Sequence, residues 1–189
     1  MTKILAIDPA SSCGWAWTDG TTIESGTWNI AVGGFGGTLG ALRSQINYIG
    51  QMYGFEVMSY ERPAYGYADW SVTAHIEKIA ILKLTCFDAG AEWHEGYVPT
   101  SIKKYATGNG KATKEEMMLA CERVLRIKPE TDDQADALWI LDMVKRGYVT
   151  PAAAAKKIKQ RVARDKTILK QTNLFAEFMK PRRSKRKAK

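Results

Sequence analysis

The stretch that decides the fold is residues 3–28, KILAIDPASSCGWAWTDGTTIESGTW, in which three short strand-forming runs are separated by turns. The runs cover residues 3–8, 14–18 and 22–28, and they are rich in the apolar, β-branched and aromatic side chains that suit a pleated surface. The dipeptide Asp-Gly at 19–20 is typical of a tight hairpin turn. We therefore predict three consecutive strands at the start of the chain.

After these strands, the sequence predicts helices alternating with strands, and then helices alone. Apolar residues at helical spacing predict helices over 38–53 and 70–89, with the glycine-rich stretch 33–37 as a mobile connection before the first. The other predicted elements are a strand over 55–61, a short strand over 91–98, and helices that begin at Pro99, Thr113 and Asp132 or Asp133. One of these two aspartates is expected to cap the last helix. Three strands, a helix, a strand and then helices predict an α/β fold.

The charge of the chain is divided unevenly between its two parts. The 189 residues carry a net charge of +8, but residues 156–189 hold 14 of the 28 Lys and Arg and only two of the 20 acids. The preceding residues are therefore mildly acidic. We predict a folded domain over residues 1–150 and a basic, helical or disordered tail over 151–189. A block of cations of this kind indicates a polyanionic partner.

Several classes of protein are disfavoured by composition. No apolar run approaches the roughly 18–20 residues that span a membrane, so no membrane partner is expected. The first predicted strand begins at residue 3, which leaves no room for a signal or transit peptide. The three cysteines are odd in number and have no metal-type spacing, which favours reduced thiols in a cytosol-like compartment.

Four carboxylates stand where a metal-dependent phosphodiesterase needs them. Asp8 and Glu61 end predicted strands, and Asp133 and Asp136 are three residues apart, on one face of a predicted helix. Two Mg²⁺ ions about 4 Å apart can drive phosphodiester hydrolysis, and such hard cations prefer carboxylate oxygens. Without metal, like charges brought together raise one another's pKa. Taken singly, each acid could be only a turn former or a helix cap; taken together, they predict one acidic pocket.

Three motifs in the same order resemble those of RuvC-type Holliday junction resolvases. They are ILAIDPA at residues 4–10 followed by CGWA at 13–16, TGNGKATK at 107–114 and DQADAL at 133–138, with Glu61 as the acid between the first and second. The resemblance covers roughly residues 3–148. It implies a ribonuclease H-like fold, in which a mixed sheet is flanked by helices; the basic helical C-terminal extension lies outside it.

The resemblance also implies an activity. It implies a homodimeric, Mg²⁺-dependent endonuclease of DNA recombination and repair, which nicks two symmetry-related strands of a four-way junction. Asp8, Glu61, Asp133 and Asp136 would hold two Mg²⁺ ions, for which Mn²⁺ is expected to substitute, and Lys114 would steady the phosphate. Asp132 is adjacent and could replace Asp133, although the three-residue spacing to Asp136 favours Asp133. Such an enzyme is expected to be cytoplasmic and nucleoid-associated, in a bacterial or phage-infected cell.

Further side chains are candidates for DNA contact. They are Lys103, Lys104 and Lys111 around the glycine loop, Tyr65 and Tyr67 after Glu61, and Arg182, Arg183, Lys185 and Arg186 in the tail. The lysines and the tail would contact phosphates, and a tyrosine could stack on an unpaired base. The alternatives are solvated helix ends, a buried tyrosine, and a tail that binds a protein or acts as a localisation signal. We expect the helix that follows Trp70 to form the dimer interface.

Three other functions compete with junction resolution. The same acids would serve a broader endonuclease that cuts flaps, forks or replication intermediates. An actin-like ATPase or sugar kinase also ends its first strand with Asp, but it needs two such domains and an adenosine motif, for which this chain is too short. A non-catalytic DNA-binding module would leave the four acids unexplained.

Overall fold

The three strands predicted at the start of the chain form one side of a mixed sheet. A computed structural model describes residues 1–63 and 70–150 of the chain. Its strands are β1 (Ile4–Asp8), β2 (Ser12–Thr18), β3 (Ile23–Asn29), β4 (Val57–Tyr60) and β5 (Glu92–Trp93). Within the described residues they form one sheet in the order β3-β2-β1-β4-β5. The pairs β1–β2 and β2–β3 are antiparallel, whereas β1–β4 and β4–β5 are parallel.

Helices cover both faces of this sheet. They are α1 (Gly34–Met52), α2 (Trp70–Asp88), α3 (Pro99–Thr107), α4 (Lys114–Ala120) and α5 (Asp132–Lys145), and a π-helical turn at Cys121–Leu125 continues α4. These elements belong to one unit that extends over Met1–Tyr148. In the described part of the chain, no helix is long and apolar enough to cross a membrane.

Strand β1 lies at the centre of the sheet and contributes side chains to the two hydrophobic clusters, one on each face. All five of its residues are buried. Leu5 and Ile7 pack in the cluster that includes residues of α1 and α2, and Ile4 and Ala6 pack in the cluster that includes α5. Successive side chains of a strand point to opposite faces. Asp8, the next residue in the series of Ile4 and Ala6, therefore lies on the α5 side of the sheet.

The structure corrects several boundaries predicted from sequence. Helix α1 begins at Gly34, after Gly33 in the left-handed conformation, so the glycine-rich stretch forms the first turn of a helix and is not a mobile connection. The α5 cap is Thr131, whose side chain accepts a hydrogen bond from the backbone N of Gln134; the prediction that Asp132 or Asp133 caps this helix is wrong. The capping box predicted at Thr113 and Glu116 is confirmed.

Other predictions fall outside the described residues. Tyr65 and Tyr67 lie there, as do the tail and its four candidate cations, Arg182, Arg183, Lys185 and Arg186. The division into a domain over 1–150 and a basic tail over 151–189 therefore stays a prediction.

Candidate active site

Two of the four predicted acids meet because their strands are parallel neighbours. Asp8 is the last residue of β1, and Glu61 directly follows β4. The backbone N of Glu61 donates to the Ile7 carbonyl at 2.8 Å, which extends the pairing of the strands to the acids themselves. On its other side, Glu61 forms a parallel bridge with Tyr97. Hydrogen bonds to two neighbouring segments therefore fix the backbone of Glu61.

Helix α5 adds the third acid. One carboxylate oxygen from each of Asp8, Glu61 and Asp136 can be chosen so that all three lie within 4.8 Å of one another. Asp8 is buried, and the other two are half-buried. The structure therefore brings together three of the four predicted acids, from three separate elements.

The other two acids of α5 occupy different positions. Asp133 is outside the group of three; burial raises its pKa, and a side-chain hydrogen bond with Ser12 opposes that increase. Asp132 forms an ion pair with Lys114, whose side chain is otherwise exposed. This ion pair raises the pKa of Lys114. The structure thus places Lys114, the residue predicted to steady the phosphate, against Asp132 at the edge of the acid group.

A glycine on β2 allows α5 to come this close. Gly14 pairs with Asp8 in the β1–β2 register. A Cβ atom at Gly14 would lie 1.9 Å from the carbonyl oxygen of Asp133 and 2.3 Å from its carbonyl carbon. The backbone of α5 therefore occupies the space that any other residue at position 14 would fill. The N-terminus of α5 is also tied to β3, because the hydroxyls of Thr27 and Thr131 are hydrogen-bonded at 2.7 Å.

The electrostatics of the acid group suit a bound cation. Burial, and next the carboxylate of Glu61, raise the pKa of Asp8 well above its usual value. Burial is also the main cause that raises the pKa of Glu61 to about 8 and that of Asp136 to about 6. Within the described residues, the buried Oδ1 atom of Asp136 accepts no hydrogen bond. Three crowded carboxylates with an unused buried oxygen fit a hard divalent cation, whose charge would offset their repulsion.

The predicted basic residues differ in their distance from the acids. Lys103 on α3 is half-buried, and its charge lowers the pKa of both Glu61 and Asp136. Lys104 and Lys111 are exposed on either side of the loop that Gly108 begins with a left-handed backbone. Of these three lysines, Lys103 is the one whose charge lowers the pKa of the acids, as the charge of Lys114 also does for Asp136; Lys104 and Lys111 face solvent.

Sequence reasoning missed two side chains beside the acids. The ring nitrogen Nε2 of His75 lies 3.2 Å from the Glu61 carbonyl oxygen, and Lys78 Nζ donates to the Pro9 carbonyl oxygen at 2.9 Å. Both belong to α2. Their three-residue spacing places them on one helix face, but nothing in the sequence indicates that this face meets the strand ends.

Comparison with known proteins gives the family. The family model described as crossover junction endodeoxyribonuclease RuvC matches residues 4–143. The chain belongs to this family. RuvC of Helicobacter pylori (strain Shi470) is 30% identical over 146 residues, which are 73% of this chain and 92% of that protein. RuvC of Sulfurovum sp. (strain NBC37-1) is 31% identical over 156 residues, 76% of this chain and 97% of that protein.

Another RuvC relative matches over a shorter stretch. RuvC of Anaeromyxobacter sp. (strain K) is 38% identical over 61 residues, and that match spans 33% of its length. The family model over residues 4–143 includes all four acids predicted as ligands, together with the loop lysines. The predicted family and enzyme class are thus confirmed, and the role of each residue stays a prediction.

Solved RuvC structures show the same fold. A structure described as T. thermophilus RuvC in complex with Holliday junction substrate matches with a TM-score of 0.59 and 19% identity, over 74% of this chain and 90% of that chain. The yeast mitochondrial Holliday junction resolvase Ydc2 matches with a TM-score of 0.52 and 14% identity, over 77% of this chain and 78% of that chain. These matches confirm the predicted ribonuclease H-like architecture.

Proposed function

We propose that this protein is a Mg²⁺-dependent endonuclease that resolves four-way DNA junctions by paired, symmetric nicks. The observation that carries the proposal is the convergence of Asp8, Glu61 and Asp136 within 4.8 Å in a member of the RuvC family. Three carboxylates from three elements are costly to hold together unless a cation binds them. We propose that Mg²⁺ is that cation, that two ions bind, and that Mn²⁺ can replace them.

We assign a role in cation or phosphate binding to each of the following residues. Asp8, Glu61 and Asp136 would hold the cations, with Asp133 as the fourth ligand at the edge of the group. Bound divalent cations would activate a water nucleophile and neutralise the charge that develops on the phosphodiester. The Lys103 ammonium, whose charge already acts on Glu61 and Asp136, would bind the phosphate next to them.

Lys114 would join the site when DNA binds. Its side chain is 72% exposed and its partner Asp132 is 30% exposed, so the ion pair is open to solvent. Exposed ion pairs of this kind contribute little stability, about 0–1 kcal/mol. A DNA phosphate can therefore take the place of Asp132 at small cost, and Lys114 would then contact the phosphate near the cut.

Other contacts with DNA would raise affinity. Exposed Lys104 and Lys111 beside the site would contact neighbouring phosphates. We extend the proposal to Tyr65 and Tyr67, which would stack on unpaired bases, and to the tail cations Arg182, Arg183, Lys185 and Arg186. A DNA substrate also implies a cytoplasmic, nucleoid-associated protein of a bacterial or phage-infected cell.

The proposed enzyme is a homodimer formed through α2. Ile76, Ala80, Leu84 and Phe87 are exposed at spacings of four, four and three residues, and Phe87 is 81% exposed. Residues at these spacings form one apolar stripe along a helix. A junction with two symmetry-related cutting sites calls for a two-fold symmetric enzyme, whose interface uses the same surface of both subunits. We propose that this stripe packs against the same stripe of the second subunit.

Oligomeric state tests the interface. We expect the wild-type protein to sediment as a dimer and Phe87→Glu as a monomer, because a charge would be buried in an apolar contact. Val124→Glu is the matched control, since Val124 is also exposed but lies in the π-helical turn. A Phe87→Glu protein that remains dimeric at micromolar concentration would rule out this interface.

Cleavage tests the function. With Mg²⁺, the wild-type protein should nick four-way junctions and leave linear duplex intact, with a mobile junction showing any sequence preference at the nick. Asp8→Asn should abolish cleavage and retain junction binding in a gel-shift assay. Asp88→Asn is the control, because Asp88 is exposed and its ion pair with Arg43 is 3.5 Å long. Full activity of Asp8→Asn would disprove the site, and equal cutting of flaps, forks and three-way junctions would favour the broader endonuclease.

A further inference from the structure

Two neighbouring side chains of α2 hold the main chain beside two of the acids. His75 and Lys78 are three residues apart and so lie on one face of the helix. His75 reaches the carbonyl of Glu61 itself, and Lys78 reaches the carbonyl of Pro9, the residue after Asp8. One helix face thus contacts the ends of both β1 and β4 at the point where each presents its carboxylate.

The chemistry of these contacts requires donors on the helix side. A carbonyl oxygen only accepts hydrogen bonds, so Nε2 of His75 carries the proton. The imidazole donates through Nε2 in its neutral and in its charged form, and the contact therefore does not depend on ionisation. Lys78 is 9% exposed, and a buried ammonium is costly unless it is hydrogen-bonded. Its bond to Pro9 is 2.9 Å long and buried.

The positions of the two carbonyls indicate which parts of the main chain are restrained by the hydrogen bonds from His75 and Lys78. The Glu61 backbone is held by β1 through its N–H, and Arg62 N donates to the Tyr97 carbonyl at 2.8 Å. The Glu61 carbonyl oxygen lies 3.2 Å from Nε2 of His75, which holds it from the α2 side. Pro9 begins the turn after β1, where the sheet no longer pairs with β4. The contacts from α2 therefore add restraints on the main chain at Glu61 and just after Asp8, beyond those of the sheet ladder.

We propose that His75 and Lys78 are positioning residues that set the separation of Asp8 and Glu61 for cation binding. The proposal rests on the proposed function, since it assigns these residues to the same site. Partners that orient metal ligands without touching the metal typically change metal affinity about 10–100-fold when they are removed. The same range is expected here.

The test measures cation binding directly and needs no DNA cleavage. Mn²⁺ binding is followed by electron paramagnetic resonance or calorimetry in wild-type protein, His75→Leu and His75→Gln. We expect at least about tenfold weaker binding for His75→Leu. His75→Gln should bind nearly as well as wild type, because its amide offers a donor at a similar position. Equal binding by His75→Leu and wild type would overturn the proposal.

The Lys78→Met substitution distinguishes a positioning role of Lys78 from a purely electrostatic effect of its positive charge on the bound cation. Removal of a nearby positive charge should by itself strengthen the binding of a cation, whereas loss of positioning should weaken it. We expect at least about tenfold weaker Mn²⁺ binding, with Lys83→Met as the control because Lys83 is exposed on the same helix. Tighter binding by Lys78→Met would overturn the role given to Lys78.

Two further outcomes keep this proposal distinct from the proposed function. If the wild-type protein binds no Mn²⁺ and Asp8→Asn does not differ from it, the proposed function fails. If wild type binds Mn²⁺ and neither His75→Leu nor Lys78→Met folds, as judged by circular dichroism, the contacts hold the fold and not the site. That result overturns the positioning role and leaves the proposed function intact.

Discussion

Substitution of Gly14 by Ala should damage the active site although it changes none of the acidic side chains. The added Cβ would stand 1.9 Å from the Asp133 carbonyl oxygen and 3.0 Å from the backbone N of Gln134. These are backbone atoms of a helix and cannot rotate away as a side chain would. Because Cβ contacts shorter than 3.0 Å are essentially never observed, α5 and β2 must separate by at least about 1 Å.

The magnitude follows from where that separation occurs. Asp136 lies on α5 one turn after its first residue, whereas Asp8 lies on β1, which pairs with β2. Movement of α5 away from β2 therefore opens the acid group. A misplacement of about 1 Å can lower a catalytic rate by about 100-fold, and overpacking of this kind costs about 1–3 kcal/mol of stability.

Junction cleavage and thermal unfolding measure these two effects. Gly40→Ala is the matched control, since Gly40 lies inside α1 and a Cβ there would meet nothing within 4 Å. It should cleave like wild type and be up to about 1 kcal/mol more stable, because Ala favours helix over Gly. If Gly14→Ala cleaves and melts like wild type, the close approach of α5 to β2 is not needed for the site, and the reasoning is refuted.

Two other predictions concern the acids directly. The pKa of Glu61 is raised to about 8 and that of Asp136 to about 6, so their protonated forms favour the folded state, and this stability is lost as pH rises through those values. In thermal unfolding, the metal-free protein should become less stable from about pH 5 to pH 8. Mg²⁺ should raise the melting temperature more at pH 8.5 than at pH 6. An equal rise in melting temperature at the two pH values would contradict this. Asp133→Asn should lower the cleavage rate more than Asp132→Asn, because the charge of Asp133 acts more strongly on Asp8 and Asp132 already pairs with Lys114. A larger loss for Asp132→Asn would make Asp132 the fourth ligand.

The sequence predicted elements well where their signals are local. The hairpin turn at 19–20 and the capping box at Thr113 need only neighbouring residues, and both are present. Strand lengths were predicted less well: the strand expected over 91–98 covers only Glu92–Trp93. Its partner β4 is itself only four residues long, and a strand extends only where a neighbour offers hydrogen bonds.

The cap of α5 shows a second kind of error. Thr131, Asp132 and Asp133 are consecutive and can all serve as caps, so the sequence alone does not choose among them. The structure chooses Thr131, whose hydroxyl is also hydrogen-bonded to Thr27 on β3. That contact joins residues far apart in sequence, and it leaves both aspartates inside the helix.

By itself, the sequence determined the order of elements, the family and the presence of four acids suited to phosphate chemistry. The tertiary structure alone decided that Asp8, Glu61 and Asp136 converge. It also decided that Asp132 forms an ion pair with Lys114, and that α2 contacts the ends of β1 and β4. The physical reason is that periodicity and capping act between residues close in the chain. Convergence of the acids instead depends on parallel pairing of β1 with β4 and on the absence of a side chain at Gly14, where α5 meets β2.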